Sequence, residues 1–98
     1  MPLTTTQKRY LRGLAHDLDP VVMVGQKGIT PAVVAELDGA LAHHELVKLK
    51  LPGGDRVERA DAIEALASAT SAEPVQAIGR TATLYRRHPK QPRIVLPR

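Results

Sequence analysis

One short segment of the chain has residue types suited to binding an anion: Gly25-Gln26-Lys27-Gly28. Its two glycines let the backbone turn sharply and let a ligand approach without meeting a side chain, and Lys27 adds a positive charge. Thr30 followed by Pro31 predicts that a helix begins just behind the segment, and a helix N-terminus attracts phosphate. The segment is therefore a candidate phosphate-contact loop. The alternative is a plain turn between a strand and a helix.

Other chemistries find less support in the sequence. A nucleotide-triphosphate loop needs a longer spacing followed by Lys-Ser or Lys-Thr, and a dinucleotide fingerprint needs a third glycine in register. His43 and His44 are adjacent and would point about 100° apart on a helix, which makes them a poor metal pair. Because no nucleophile–base pair is evident, we expect no enzyme activity, no cofactor and no metal. A small RNA-processing enzyme with His16 as general base is a rival interpretation.

Charge is distributed unevenly along the 98 residues, whose net charge is +4. Residues 1–12 carry three basic residues and no acid, residues 80–98 carry six and no acid, and the middle holds all ten acids. A chain that is basic at both ends can present both on one face and attract polyanions. The alternative is that basic ends serve only solubility.

Aromatic residues are nearly absent, since Tyr10 and Tyr85 are the only two. Recognition of RNA by stacking bases on a sheet requires several exposed aromatics. Any nucleic-acid binding by this chain should therefore rely on backbone contacts and shape.

Length and composition indicate one small domain with little room for a deep substrate cavity, so no small-molecule substrate is expected. No cysteine is present, no apolar run reaches about 18 residues, and no leader-like segment begins the chain. We expect a cytoplasmic protein that does not bind membranes.

Hydrophobic spacing predicts three helices. The first runs from Thr4–Thr6 to about Asp17–Asp19 and buries a leucine stripe: Leu11, Leu14 and Leu18. The second begins at Thr30 and buries Val33, Val34, Leu37 and Leu41. The third begins with a capping box formed by Asp55 and Glu58.

Four strands complete the prediction. Residues 21–24 form a short apolar run that predicts a strand buried on both faces, with Met23 in the core. Residues 46–51 alternate, with Lys48 and Lys50 on one face, where they either extend a basic surface or face solvent. Residues 74–78 and 82–85 predict a hairpin with a turn at Gly79-Arg80.

The expected fold class is α/β: a compact α-β-α-β-α-β-β domain with a four-stranded mixed sheet, mostly parallel apart from the final hairpin. Residues 1–87 form the domain. Residues 88–98 form a basic, proline-rich extended tail, a candidate flexible arm that seeks phosphate.

Several short motifs together resemble those of the bacterial YhbY-type proteins, stand-alone members of the CRM (chloroplast RNA splicing and ribosome maturation) domain family. They are Gln7 to Arg12, Ala15-His16, Pro20 to Val22, Gly25 to Gly28, His44 to Lys48, Val75 to Arg80 and Leu84 to Arg86. The resemblance implies a fold like the C-terminal domain of translation initiation factor three. It also implies RNA binding, with bacterial members associated with precursors of the large ribosomal subunit and plant relatives acting in intron splicing.

The resemblance places the RNA-contact surface on the glycine loop and the basic residues near it. The candidate RNA-binding residues are Lys8, Arg9, Arg12, Gly25, Gln26, Lys27, Gly28, Thr30, Arg80 and Arg86. Two positions depart from the family pattern: Gln26 follows the first glycine where a basic residue is usual, and Asp19 precedes the proline where a basic residue is common.

The expected partner is RNA, specifically ribosomal RNA of large-subunit precursors, and the expected role is assembly of the large subunit. The alternative is a protein-interaction module whose basic face binds an acidic ribosome-assembly partner. That alternative predicts RNA affinity no better than that of any basic protein of similar charge.

Overall fold

The computed structural model describes residues 2–98 and contains three helices and one four-stranded sheet. In chain order the elements are α1 (Thr5–Ala15), β1 (Val22–Met23), α2 (Pro31–His44), β2 (Leu46–Lys50), α3 (Arg56–Thr70), β3 (Glu73–Ile78) and β4 (Thr81–Tyr85). The predicted element order and the α/β class with a mixed sheet are confirmed.

The strands lie in the order β1-β2-β4-β3. β1 and β2 are parallel, whereas β4 is antiparallel to both of its neighbours. The expectation of a mostly parallel sheet is therefore wrong. The α3 connection does leave β3 running in the direction of β2, but the hairpin inserts β4 between them, so two of the three pairings become antiparallel.

The helices begin where their capping residues predict. The Thr4 hydroxyl accepts the Gln7 backbone N–H, and the Gln7 side chain accepts the Thr4 N–H in return. Asp55 and Glu58 form the same reciprocal pair at α3. Each cap supplies acceptors to N–H groups that have no partner inside the helix, a contribution of about 1 kcal/mol.

The main core lies between one face of the sheet and helices α2 and α3. Its members are buried aliphatic side chains from the sheet side and from these two helices, among them Val22, Val24, Leu37, Leu41, Val47, Leu49, Leu66 and Leu84. The predicted apolar stripe of α2 is confirmed, with Leu37 and Leu41 fully buried and Val33 and Val34 partly buried against the core.

A second, smaller core lies on the opposite face of the sheet under α1. Leu11 and Ala15 of α1 pack against Leu46, Val75 and Tyr85. α1 therefore covers only the end of this face formed by the start of β2, the start of β3 and the end of β4.

This partial cover corrects three sequence-based expectations. Leu14 and Leu18 are each 39% exposed because the buried face of α1 consists of Leu11 and Ala15, and the helix ends at Ala15 before reaching Asp17–Asp19. Met23 is 60% exposed, because β1 is an edge strand whose second face no helix covers. β1 is thus half-buried rather than buried on both faces.

Residues 88–98 are docked on the domain in the structure, in contrast to the expected flexible arm. The Glu45 carboxylate is 1% exposed and accepts three backbone N–H groups of this segment: those of His88 at 2.8 Å, Arg93 at 2.7 Å and Ile94 at 2.9 Å. Ile94 and Leu96 then pack against the second core. The C-terminal segment thereby helps to hold α1 on the sheet.

Candidate nucleic-acid interface

The loop Gly25–Gly28 joins the end of β1 to α2 and is closed by its own backbone. The Gly28 N–H donates to the Gly25 carbonyl at 3.0 Å, and Gly28 has a φ of +76°. A side chain at position 28 would be strained, whereas Gly25 has no such backbone constraint, and a Cβ at Gly25 meets nothing within 4 Å. Glycine at position 25 is therefore not required by packing within the protein, and it leaves the backbone open to a ligand.

Thr30 fixes the start of α2 behind the loop. Its hydroxyl accepts the Val33 N–H at 3.2 Å, its carbonyl accepts the Val34 N–H, and Pro31 has no N–H. In the first turn of α2, the Ala32 N–H is therefore the donor that has no acceptor from the cap. Thr30 is thus a positioning residue, and α2 offers an anion fewer N–H groups than the sequence suggested.

The sheet brings Arg80 to the same end of the strands as the loop. β1 and β2 are parallel, so their carboxyl ends lie together, and the pairing of Lys50 with Thr81 places the hairpin turn beside them. The Leu51 N–H donates to the Arg80 carbonyl at 2.7 Å, which fixes that turn. Gln26 and Lys27 are exposed at the tip of the neighbouring loop.

The basic face of α1 overhangs the sheet. Lys8 and Arg12 lie one turn apart on the helix and are partly exposed, and Arg9 is exposed. Arg12 and His16 line a hollow of about 140 Å³ against the sheet, whose floor is Lys48, Gln76, Ile78, Thr81 and Thr83. Arg12 therefore lies over the same face to which Lys50 and Thr81 belong.

Arg86 is not part of this grouping. It follows the central strand β4 at the opposite end of the sheet, and its guanidinium contacts the Asp38 carboxylate at 2.5 Å and the Thr70 carbonyl at 2.8 Å. The guanidinium also donates a second hydrogen bond to Asp38, to its backbone carbonyl at 3.0 Å. Arg86 thus links α2 to α3, and its charge is neutralised.

The other basic residues of the candidate site, by contrast, lack close carboxylates. Within residues 2–98, the pair Arg86–Asp38 is the single ion pair shorter than 4 Å, so Lys8, Arg9, Arg12, Lys27 and Arg80 have no such partner there. The same residues include no cluster of three His, Asp or Glu side chains able to hold a metal ion. None of the helices found in this range is long and apolar enough to span a membrane.

Sequence reasoning did not place Lys48, Lys50 or His16 in the candidate site. The alternation along residues 46–51 indicated that the two lysines share a face. It carried no signal that α1 would leave that face uncovered, because this depends on where α1 packs.

Known proteins resemble this chain over nearly its whole length. A protein from Haemophilus influenzae named "RNA-binding protein" is 48% identical over 96 residues, which covers 98% of this chain and 96% of that protein. YqeI of Bacillus subtilis, named a probable RNA-binding protein, is 35% identical over 95 residues, covering 97% of this chain and 99% of that protein.

The fold matches a solved structure, the solution structure of the hypothetical protein SAV1595 from Staphylococcus aureus. The TM-score is 0.86 at 36% sequence identity, with 98% of this chain and 100% of that chain covered. The family model for the CRS1 / YhbY (CRM) domain matches residues 3–86, which include the glycine loop, α1 and the whole sheet. The chain therefore belongs to the CRS1 / YhbY (CRM) domain family.

Proposed function

We propose that this protein binds RNA through its phosphate backbone, using the loop Gly25–Gly28 and the basic face of α1, and that it has no catalytic role. The observation that carries the proposal is the exposed glycine loop with Lys27 at its tip, at the end of the sheet that Arg80 shares. Neither Lys27 nor Arg80 has a carboxylate within 4 Å among residues 2–98. The names of the bacterial relatives support RNA as the ligand.

The proposed mechanism is electrostatic. Gly25 lets the RNA backbone come close to the protein backbone, and Lys27, Arg80 and Arg12 neutralise phosphates around it. Lys8 and Arg9 extend the positive field along α1. Because Tyr10 is the one partly exposed aromatic side chain and Tyr85 is buried, the protein reads RNA shape rather than stacked bases.

The RNA we propose is ribosomal RNA in precursors of the large subunit, and the role is assembly of that subunit. This assignment is supported by the family resemblance. It predicts tighter binding to a fragment of large-subunit ribosomal RNA than to an unrelated RNA of equal length, measured at one salt concentration.

Affinity for that fragment across a salt series tests the loop. Gly25→Ala should weaken binding with an unchanged melting temperature, because the added methyl meets only the ligand. Lys27→Ala should weaken binding and lower the slope of log K against log salt by about 1. Gln26→Asp combined with Lys27→Asp should abolish specific binding.

Lys90→Ala is the matched control, since it removes one exposed charge from the C-terminal segment. If the loop variants bind RNA as Lys90→Ala does, the loop is only a turn. If the wild type binds RNA no better than an unrelated basic protein of equal charge, the acidic-partner interpretation replaces RNA binding.

A further inference from the structure

We propose that the uncovered half of the sheet is a second RNA-contact surface, and that it takes an unpaired strand running between the glycine loop and α1. This open sheet face comprises Met23, Lys48, Lys50, Gln76, Ile78 and Thr81. Thr83 lies between Lys48 and Gln76 on the same face but is only 2% exposed. The proposal rests on RNA binding as proposed above and identifies which form of RNA this surface takes.

Strand register defines the outer row of the open sheet face. Met23 pairs with Lys50, Lys50 pairs with Thr81, and Thr81 pairs with Ile78, so these four side chains lie side by side across all four strands. Met23 is 60% exposed and Ile78 is 65% exposed, and Lys50 is exposed between them. The outer row thus presents to solvent the apolar side chains of Met23 and Ile78 at its two ends, with Lys50 between them.

The inner row lies closer to α1 and is more polar. Lys48 pairs with Thr83, which pairs with Gln76, and these three are the inner part of the floor of the hollow under Arg12 and His16. The Lys48 ammonium donates one bond to the Leu18 carbonyl at 3.0 Å, which leaves two of its three donors. The hollow therefore combines cations with the Gln76 amide and the Thr81 hydroxyl, which can bond to sugar hydroxyls and base edges.

The charge of this surface favours an anion. Glu73 is the one carboxylate on the four strands, and it lies at the far end of β3, where it accepts the Leu3 N–H at 2.7 Å. Asp19 lines a neighbouring groove with Lys48 and offsets part of that lysine's field. Lys50 has no carboxylate within 4 Å among residues 2–98 and is the main cation of the open sheet face.

The apolar side chains decide between forms of RNA. A duplex presents phosphates and sugar hydroxyls outward and hides the faces of its bases, so it gains nothing from Met23 and Ile78. An unpaired strand exposes base faces that can cover aliphatic side chains while its phosphates meet the lysines. A four-stranded sheet has room for about two or three unpaired nucleotides.

The open sheet face also connects the two parts of the proposed interface. Met23 is followed by Val24 and then by the glycine loop, and the Val24 N–H bonds to the Lys50 carbonyl at 2.8 Å. Arg12 of α1 closes the opposite side of the hollow. A strand leaving the loop thus crosses the row of Lys50 before it reaches α1.

The test compares a single-stranded RNA oligonucleotide of mixed sequence with the duplex formed by the same sequence, each titrated across a salt series. Three variants are compared with the wild type: Lys48→Ala with Lys50→Ala, Met23→Ser with Ile78→Ser, and Lys27→Ala in the loop. The control combines Arg87→Ala with Lys90→Ala, which removes two exposed charges that follow β4 at the end of the sheet opposite the loop. Thermal melting establishes that each variant folds. If Lys48→Ala unfolds the protein, the single variant Lys50→Ala replaces the double lysine variant, and Lys90→Ala becomes its control.

We expect the double lysine variant to lower the salt slope for the single strand by about 1 to 1.5, and the control pair to leave it unchanged. We expect Met23→Ser with Ile78→Ser to weaken single-strand binding and to leave duplex binding unchanged. If both sheet variants bind the single strand as the control does while Lys27→Ala loses affinity, the sheet proposal fails and the loop proposal stands. If the sheet variants lose affinity and Lys27→Ala does not, the sheet proposal stands and the loop is not a contact. Equal losses for strand and duplex would refute the preference for unpaired RNA.

Discussion

Replacing Glu45 by Gln should destabilise the protein through the C-terminal segment. Glu45 sits at the end of α2 with a φ of +65°, and its carboxylate is buried. One carboxylate oxygen accepts the N–H groups of Arg93 and Ile94, and the other accepts that of His88. All three donors are backbone groups, so none of them can turn away from the substituted side chain.

The size of the effect follows from this geometry. Gln has one acceptor oxygen, so whichever way its amide lies, its NH₂ group faces at least one backbone N–H. The least costly arrangement keeps the oxygen on Arg93 and Ile94 and leaves the His88 N–H without an acceptor. One orphaned donor, together with the lost charge on the two remaining bonds, gives a cost of about 2–3 kcal/mol.

The pH dependence has a definite sign. Burial raises the pKa of the Glu45 carboxyl, but the three backbone hydrogen bonds outweigh burial, so the pKa lies below its ordinary value of 4.5. A carboxyl whose pKa is lower in the folded state stabilises the protein above its unfolded pKa. That contribution is lost as the pH falls through the folded value.

Urea unfolding of the wild type and Glu45→Gln, at pH 7 and at stepwise lower pH, measures both effects. The gap in unfolding free energy should be widest at pH 7 and should narrow as Glu45 becomes protonated. Glu64→Gln, which alters an exposed carboxyl on α3, is the control and should change stability by less than about 0.5 kcal/mol. A Glu45→Gln protein as stable as the control at pH 7 would refute the assigned role of Glu45 in holding residues 88–98. So would a difference in unfolding free energy between wild type and Glu45→Gln that does not change with pH.

Two further predictions concern stability alone. Gly28→Ala should lower the free energy of unfolding by about 1–2 kcal/mol, because the positive φ of Gly28 disfavours a side chain. Gly25→Ala should lower it far less. Equal urea midpoints for the two variants would contradict the assigned loop conformation. Tyr85→Phe should leave stability unchanged or raise it by about 1 kcal/mol, since the buried Tyr85 hydroxyl has no hydrogen-bond partner among residues 2–98. A clear drop in melting temperature would show that the hydroxyl is bonded.

The features that sequence predicted well are local ones. Thr30 with Pro31, and Asp55 with Glu58, specify helix starts within three residues, because a cap bonds to its own first turn. The turn at Gly79 and the glycine loop are equally local, since each depends on a residue with positive φ. These signals were enough to obtain the element order and the position of the candidate loop.

The features that sequence missed depend on distant partners. The insertion of β4 between β2 and β3 requires pairing between residues such as Leu46 and Tyr85, which hydrophobic alternation does not encode. The sequence predicts Arg86 as an RNA-contact residue, whereas its ion-pair partner Asp38 lies 48 positions earlier in the chain. No local pattern marks Glu45 as the acceptor for residues 88–98, because its donors follow 43 to 49 residues later.

The docking of the last residues on the first helix has a consequence for biosynthesis. The Gln7 amide donates to the Pro97 carbonyl at 3.0 Å, and Leu3, Ile94 and Leu96 complete the apolar cluster around Leu11. A ribosome makes α1 well before Ile94 and Leu96, so α1 lacks this part of its cover until those residues have been synthesised. Leu3 and Leu96 pack against the same cluster, so a short linker joining these two parts of the chain would give a circular permutant in which α1 and its cover are synthesised consecutively.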